Sequence, residues 1–153
     1  MDNLTDNADW TGIDMDSVGV VGKTHGYEYR GYMFVTPGEV AVARLLDLMG
    51  VPFTPDVFIK VKTSLWPGRL PLVYVPDFVL NRRAFVWTDE DGSRELIHGF
   101  EVKQRSRDGD YPARGMRKIT VLREAKGIRI KILDELWIRD QNCLPIMPLD
   151  SGS

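Results

Sequence analysis

The sequence is poor in the residues that staple or metallate small proteins. Of its 153 residues, one is a cysteine, Cys143, and two are histidines, His25 and His98. An internal disulfide cannot form, and a structural zinc site of the Cys/His type lacks its ligands. Long apolar runs are also missing, since no stretch approaches the roughly eighteen apolar residues of a membrane span. The opening residues carry Asp2, Asp6 and Asp9 where a secretory leader needs a basic start and an apolar run. These absences lead to the expectation of a cytoplasmic protein with no membrane partner.

What is present is an ordinary folding composition, 43% hydrophobic and 27% charged. That excludes a wholly disordered or collagen-like chain, and the length suits one domain with its own core. Residues 1–26 are polar, rich in Asp, Asn and Gly and without sustained periodicity, so they read as an acidic irregular arm. Residues 27–150 read as a single domain.

The net charge of −2 conceals an asymmetry along the chain. Residues 1–28 sum to −5, whereas residues 103–131 sum to +7. The basic run contains Lys103, Arg105, Arg107, Arg114, Arg117, Lys118, Arg123, Lys126, Arg129 and Lys131. A positive run inside an acidic protein is the footprint of a phosphate-facing patch or of a solvated helix face, and charge alone does not choose between them.

Thr36-Pro37-Gly38-Glu39 opens the clearest helix, with Thr36 at the N-cap, Pro37 at the first helical position and Glu39 completing a capping box. Val40, Ala43, Leu45, Leu46, Leu48 and Met49 supply its apolar face until Gly50. Val51-Pro52-Phe53, residues 57–62 and the run from Leu72 through Leu80 are β-rich and broken by prolines. Residues 84–87 and 95–103 flank the acidic turn Asp89-Glu90-Asp91-Gly92-Ser93 and pair as a hairpin. A second helix covers about residues 111–126, closed by Gly127, and the alternation over 128–133 predicts a final strand. The order predicts an α+β domain with helices packed on a central mixed sheet.

Gly19-Val20-Val21-Gly22-Lys23-Thr24 has the end of a phosphate-binding loop but carries Ser17 where that loop needs glycine, and no helix follows. A nucleotide site is therefore rejected. The informative residues are Glu39 in the first helical turn, Asp77 after Pro76, and Glu101-Val102-Lys103 on a strand. Positions i and i+2 of a strand share a face, so Glu101 and Lys103 project together while Val102 faces the core. If the two strands are neighbours, Asp77 and Glu101 form an oxygen-ligand site suited to Mg²⁺, with the Val102 carbonyl as a further ligand. Lys103 then stands beside a water whose attack hydrolyses a phosphodiester. Glu124-Ala125-Lys126 repeats the triplet, but on a helix its ends point roughly 200° apart. Pro55-Asp56 repeats the Pro-Asp pair without an acid-Xaa-Lys partner close behind it.

With Pro76-Asp77 followed by Glu101-Val102-Lys103, and Glu39 on a preceding helix, residues 27–133 resemble the PD-(D/E)xK nuclease superfamily, the restriction-endonuclease-like fold. The resemblance implies an αβββαβ core and a Mg²⁺-dependent endodeoxyribonuclease in which Mn²⁺ can substitute. It implies Asp77 and Glu101 as metal ligands, Lys103 as the catalytic lysine and Glu39 as a metal- or water-positioning acid. Within the superfamily the short chain looks like Holliday-junction resolvases, phage nucleases and endonuclease subunits of transposases. Arg105, Arg107, Arg114, Arg117 and Lys118 would then hold DNA phosphates, and a homodimer would supply two sites for two strands. Two other readings remain open: a non-cleaving nucleic-acid-binding protein of the same fold, and a phage-type assembly protein whose acidic arm meets a basic partner. Tyr27, Tyr29 and Tyr32 read as an edge strand with outward tyrosines, and His25, His98 and Cys143 as residues without a chemical role.

Overall fold

The computed structural model describes residues 18–20, 26–55, 57–80, 84–103 and 113–149. In chain order the elements are β1 (Val18–Val20), β2 (Tyr27–Tyr29), β3 (Tyr32–Phe34), α1 (Pro37–Leu48), β4 (Phe53–Pro55), β5 (Val57–Val61), β6 (Leu72–Tyr74) and β7 (Phe78–Leu80). They continue with β8 (Phe85–Thr88), β9 (Arg94–Ile97), β10 (Gly99–Lys103), α2 (Ala113–Lys126), β11 (Ile130–Asp134), α3 (Glu135–Ile138) and β12 (Ile146–Pro148). The fold is mixed α+β. No described helix is long and apolar enough to cross a membrane.

The central sheet has the order β11-β10-β7-β4. β4 and β7 pair antiparallel, as do β7 and β10, whereas β10 and β11 run parallel. A parallel neighbour requires a crossover, and α2 provides it. Two further three-stranded sheets, β1-β5-β6 and β12-β8-β9, flank the centre. The β2-β3 hairpin turns through Arg30 and Gly31, whose φ values of 50° and 85° give the left-handed pair that a two-residue turn requires. Tyr27 and Tyr32 on that hairpin are exposed, but it forms its own two-stranded sheet rather than an edge strand, and Tyr29 packs inward on the α1 core and donates to Asp47 Oδ2 at 2.8 Å.

α1 begins as expected: Thr36 accepts from the Glu39 N–H, and Glu39 reaches back to the Thr36 N–H at 2.8 Å. Its buried face differs in detail, because Val42 joins Ala43, Leu45 and Leu46 inside while Leu48 is exposed. One core packs α1 against Phe34, Phe78, Leu80, Phe100 and Leu133, continuing to Phe85, Trp87 and Ile146. A second core lies between the β5–β6 hairpin and α2, and joins Ile59, Val61, Leu72 and Tyr74 to Val121, Leu122 and Ile130. Because side chains alternate along a strand, Phe100 and Val102 of β10 serve the α1 core and Glu101 faces the other way.

Three expectations need correction. Residues 18–20, read as part of an irregular arm, form β1 and pair antiparallel with β5; the rest of residues 1–25 lies outside the described residues. The run 72–80 is two strands in different sheets, since Pro76 has no N–H to continue a ladder. Likewise the run 95–103 breaks at His98 into β9 and β10. His98 donates its N–H to the Arg129 carbonyl at 2.7 Å, and its ring Nδ1 accepts the Arg129 N–H at 3.1 Å. That buried pairing turns the chain from one sheet into the next.

Candidate active site

The geometry starts from the β7–β10 register. Val79 pairs with Gly99 and Phe78 with Phe100, so one more step sets Asp77 opposite Glu101. Close approach is possible because residue 99 is glycine: a Cβ there would stand 2.3 Å from the Phe78 carbonyl oxygen. The Val102 N–H then donates to Asp77 Oδ2 at 2.7 Å. Glu39 enters from the first turn of α1, where its Oε2 accepts the Val35 and Thr36 N–H groups at 2.8 Å each. Its carboxyl and that of Glu101 both lie close enough to Asp77 to raise its pKa.

The structure thus brings Glu39, Asp77 and Glu101 together, with Glu39 and Glu101 buried. Burial and the neighbouring charges of Glu101 and Glu39 push Asp77 up to about 10, so it holds its proton at neutral pH. Lys103 lies two residues along from Glu101 on the same face, half-buried and in register with Asp134 of β11. Val102 contributes its N–H to Asp77, a tie between the strands separate from the expected role of its carbonyl.

Sequence reasoning missed Tyr74. Its hydroxyl, brought across from β6 in a different sheet, donates to Glu101 Oε2. Burial and the Glu101 charge raise its pKa, so it remains a donor. The available signal was a tyrosine at an inward position of an apolar strand, because a buried hydroxyl requires a polar partner. Gly38 was missed too: its N–H donates to Glu135 Oε1 at 3.3 Å, and any Cβ there would meet the Glu135 side chain. This contact seats the start of α1 against α3.

The donor set is all oxygen and matches a hard cation such as Mg²⁺ or Mn²⁺. Both glutamates act on Asp77, yet among the described residues no three His, Cys, Asp or Glu side chains surround a common ion position. Burial and the neighbouring charges favour a proton on Asp77, while peptide N–H groups and the Tyr74 hydroxyl take up one oxygen each of Asp77, Glu39 and Glu101. A dication in place of that proton would relieve the same repulsion, so the residues fit such an ion.

The chain matches no family model, no curated protein and no solved structure. The site must be judged on its own geometry. Of the expected phosphate contacts, Arg105 and Arg107 lie outside the described residues, and Arg114 belongs to the first turn of α2. Arg117 and Lys118 face Trp66 of the β5–β6 connection, with ring-centroid distances of 5.5 Å and 6.0 Å. The basic run therefore meets the hairpin that delivers Tyr74.

Proposed function

We propose that the protein is a Mg²⁺-dependent DNA endonuclease, able to use Mn²⁺, with a restriction-endonuclease-like core and a homodimeric working form. The observation that carries this reading is the bond from the Val102 N–H to Asp77 Oδ2 at the end of the β7–β10 pairing, which sets Asp77 beside Glu101, with Glu39 near enough to raise the Asp77 pKa. The progression α1, β4, β7, β10, α2, β11 supports it, because it runs in αβββαβ order with only the last two strands parallel.

The roles follow from position. Asp77 and Glu101 are the ion's carboxylate ligands, and Glu39 either joins them or orients a water. A bound dication would lower the pKa of a water and neutralise charge on the phosphoryl group. Lys103 projects on the Glu101 face, where its amine can hold the attacking water or the phosphate oxygen. Tyr74 keeps one Glu101 oxygen occupied and so fixes the carboxylate's orientation. Arg117 and Lys118 hold flanking phosphates and carry no base readout. A homodimer follows from the chemistry, since one small site cuts one strand.

One observation favours a second reading. Asp77, with its pKa raised by burial and its neighbours and one oxygen held by the Val102 N–H, belongs to a largely satisfied acid cluster, which suits a non-cleaving nucleic-acid-binding protein of the same fold. The deciding experiment incubates the protein and Lys103→Ala with supercoiled, linear, single-stranded and four-way-junction DNA in Mg²⁺, Mn²⁺ or chelator. Metal-dependent cutting that drops at least about a hundredfold in the variant supports the nuclease. DNA binding without cutting on any substrate supports the binding protein instead.

A further inference from the structure

Between Val57 and Pro76 the chain holds Lys60, Lys62 and Arg69 and no acidic residue. This segment is the β5–β6 hairpin, whose inward residues Ile59, Val61, Leu72 and Tyr74 pack on α2. Its other face and its connecting loop leave Leu65, Leu70, Val73 and Val75 exposed, with Leu70 at 80%. Lys60 is in register with Val73 on that outer face, so a cation and an apolar side chain alternate across the pair. The loop is not loose. Trp66 is half-buried under the Arg117 guanidinium and the Lys118 ammonium, and Lys118 also donates to the Val73 carbonyl at 3.0 Å. Helix and hairpin thus meet along β6 and the connecting loop, and the residue after Val73, Tyr74, touches Glu101 from the inward face.

The exposed Leu65 and Leu70 share a connecting loop with Arg69 and with Trp66, on which Arg117 and Lys118 sit, and exposed leucines in such a setting call for an occupant. Among the described residues none of these five cations is in an ion pair, and together they complement a polyanion. Apolar side chains at the tip of such a surface act on nucleic acid as wedges that enter between base steps.

We propose that the β5–β6 hairpin is a nucleic-acid-reading element that sets the substrate class of the adjacent acid cluster. Lys60, Lys62, Arg69, Arg117 and Lys118 grip backbone phosphates, and Leu65 and Leu70 occupy an unstacked base step. The preferred DNA is bulged, nicked or branched, because a continuous duplex must first lose stacking at the step while a bulge has none to lose. This rests on the nuclease reading for the role of the site but not for the binding itself.

The test is fluorescence anisotropy with the full chain in chelator, using a continuous duplex and the same duplex with a one-base bulge flanked by 2-aminopurine. The wild type is expected to bind the bulged DNA about tenfold more tightly and to change the 2-aminopurine signal. Leu65→Ser with Leu70→Ser, both on the surface and harmless to folding, should erase that preference and leave continuous-duplex binding intact. Arg117→Ala should weaken both and lower the salt slope by about one phosphate contact. Equal wild-type affinity for the two duplexes, or a double variant that keeps the preference, overturns the proposal. So does failure to bind either DNA with retention on anionic lipid vesicles, which would mark a membrane surface. A bulge preference in a protein that never cleaves upholds this inference and defeats the nuclease. Metal-dependent cleavage of both duplexes with equal binding does the reverse.

Discussion

The Val102 N–H donates to Asp77 Oδ2 at 2.7 Å. The residue between Glu101 and Lys103 thereby ties the two halves of the motif at the end of the β7–β10 pairing, although Glu101 lies 24 positions after Asp77 in the chain. The bond requires strands close enough for Gly99 to pass the Phe78 carbonyl, and it holds Asp77 where the Glu101 and Glu39 carboxyls raise its pKa.

Asp77→Asn is expected to stabilise the metal-free protein. Asp77 titrates at an ordinary 3.8 when unfolded and near 10 when folded. Between these values the unfolded chain has released the proton and the folded chain has not, so stability falls as pH rises, by at most about 1.4 kcal/mol per unit. Asn is neutral throughout, so it should gain about 1–3 kcal/mol over wild type at pH 8 and nothing below pH 4. Urea unfolding across pH checks this; equal pH slopes for the two proteins would refute it. Metal-dependent cleavage should vanish in the same variant.

Mg²⁺ should raise the melting temperature more at pH 8 than at pH 6. The cation takes the place of the Asp77 proton, and releasing that proton is easier at the higher pH. Saturating metal at about 100 times Kd would add about 2.7 kcal/mol. Thermal unfolding with Mg²⁺ and with chelator at both pH values measures the difference, and an equal shift at each would argue against proton replacement.

Tyr74→Phe removes the donor to a buried Glu101 oxygen and keeps the ring in the hairpin core. The unpaired oxygen should cost about 1–3 kcal/mol. For activity, the metal concentration that gives half-maximal cleavage should rise while DNA affinity in chelator stays constant. A fall in DNA affinity with an unchanged metal requirement would mean that Tyr74 only holds the hairpin.

Two Glu39 variants separate its capping from its chemistry. Glu39→Gln keeps a capping-box acceptor and should change stability by less than about 0.5 kcal/mol, whereas Glu39→Ala should lose about 1 kcal/mol. Both should reduce cleavage by tenfold or more. Full activity in Glu39→Gln would confine the residue to the helix start.

Much of this was legible in the sequence because it rests on local rules. The Thr36–Glu39 capping box, the hairpin about Asp89–Ser93 and the strand alternation around Glu101 depend on residues close in the chain. Leu48 shows the limit: it lies within the apolar pattern of α1 yet is exposed, because what covers a helix face depends on which neighbours arrive. The split at His98 was hidden for the same reason, since its partner is the distant Arg129 backbone.

The residue types of the candidate site and their strand or helix setting are properties of the sequence. Only tertiary structure decided that β7 pairs with β10, that Glu39 reaches Asp77, that Tyr74 crosses from another sheet to Glu101, and that Arg117 and Lys118 close on Trp66. Those contacts join residues far apart in the chain, and no local propensity encodes them. The raised pKa of Asp77 belongs to the same class, because it results from partial burial beside the buried Glu101 and Glu39 carboxyls, which the fold brings to it.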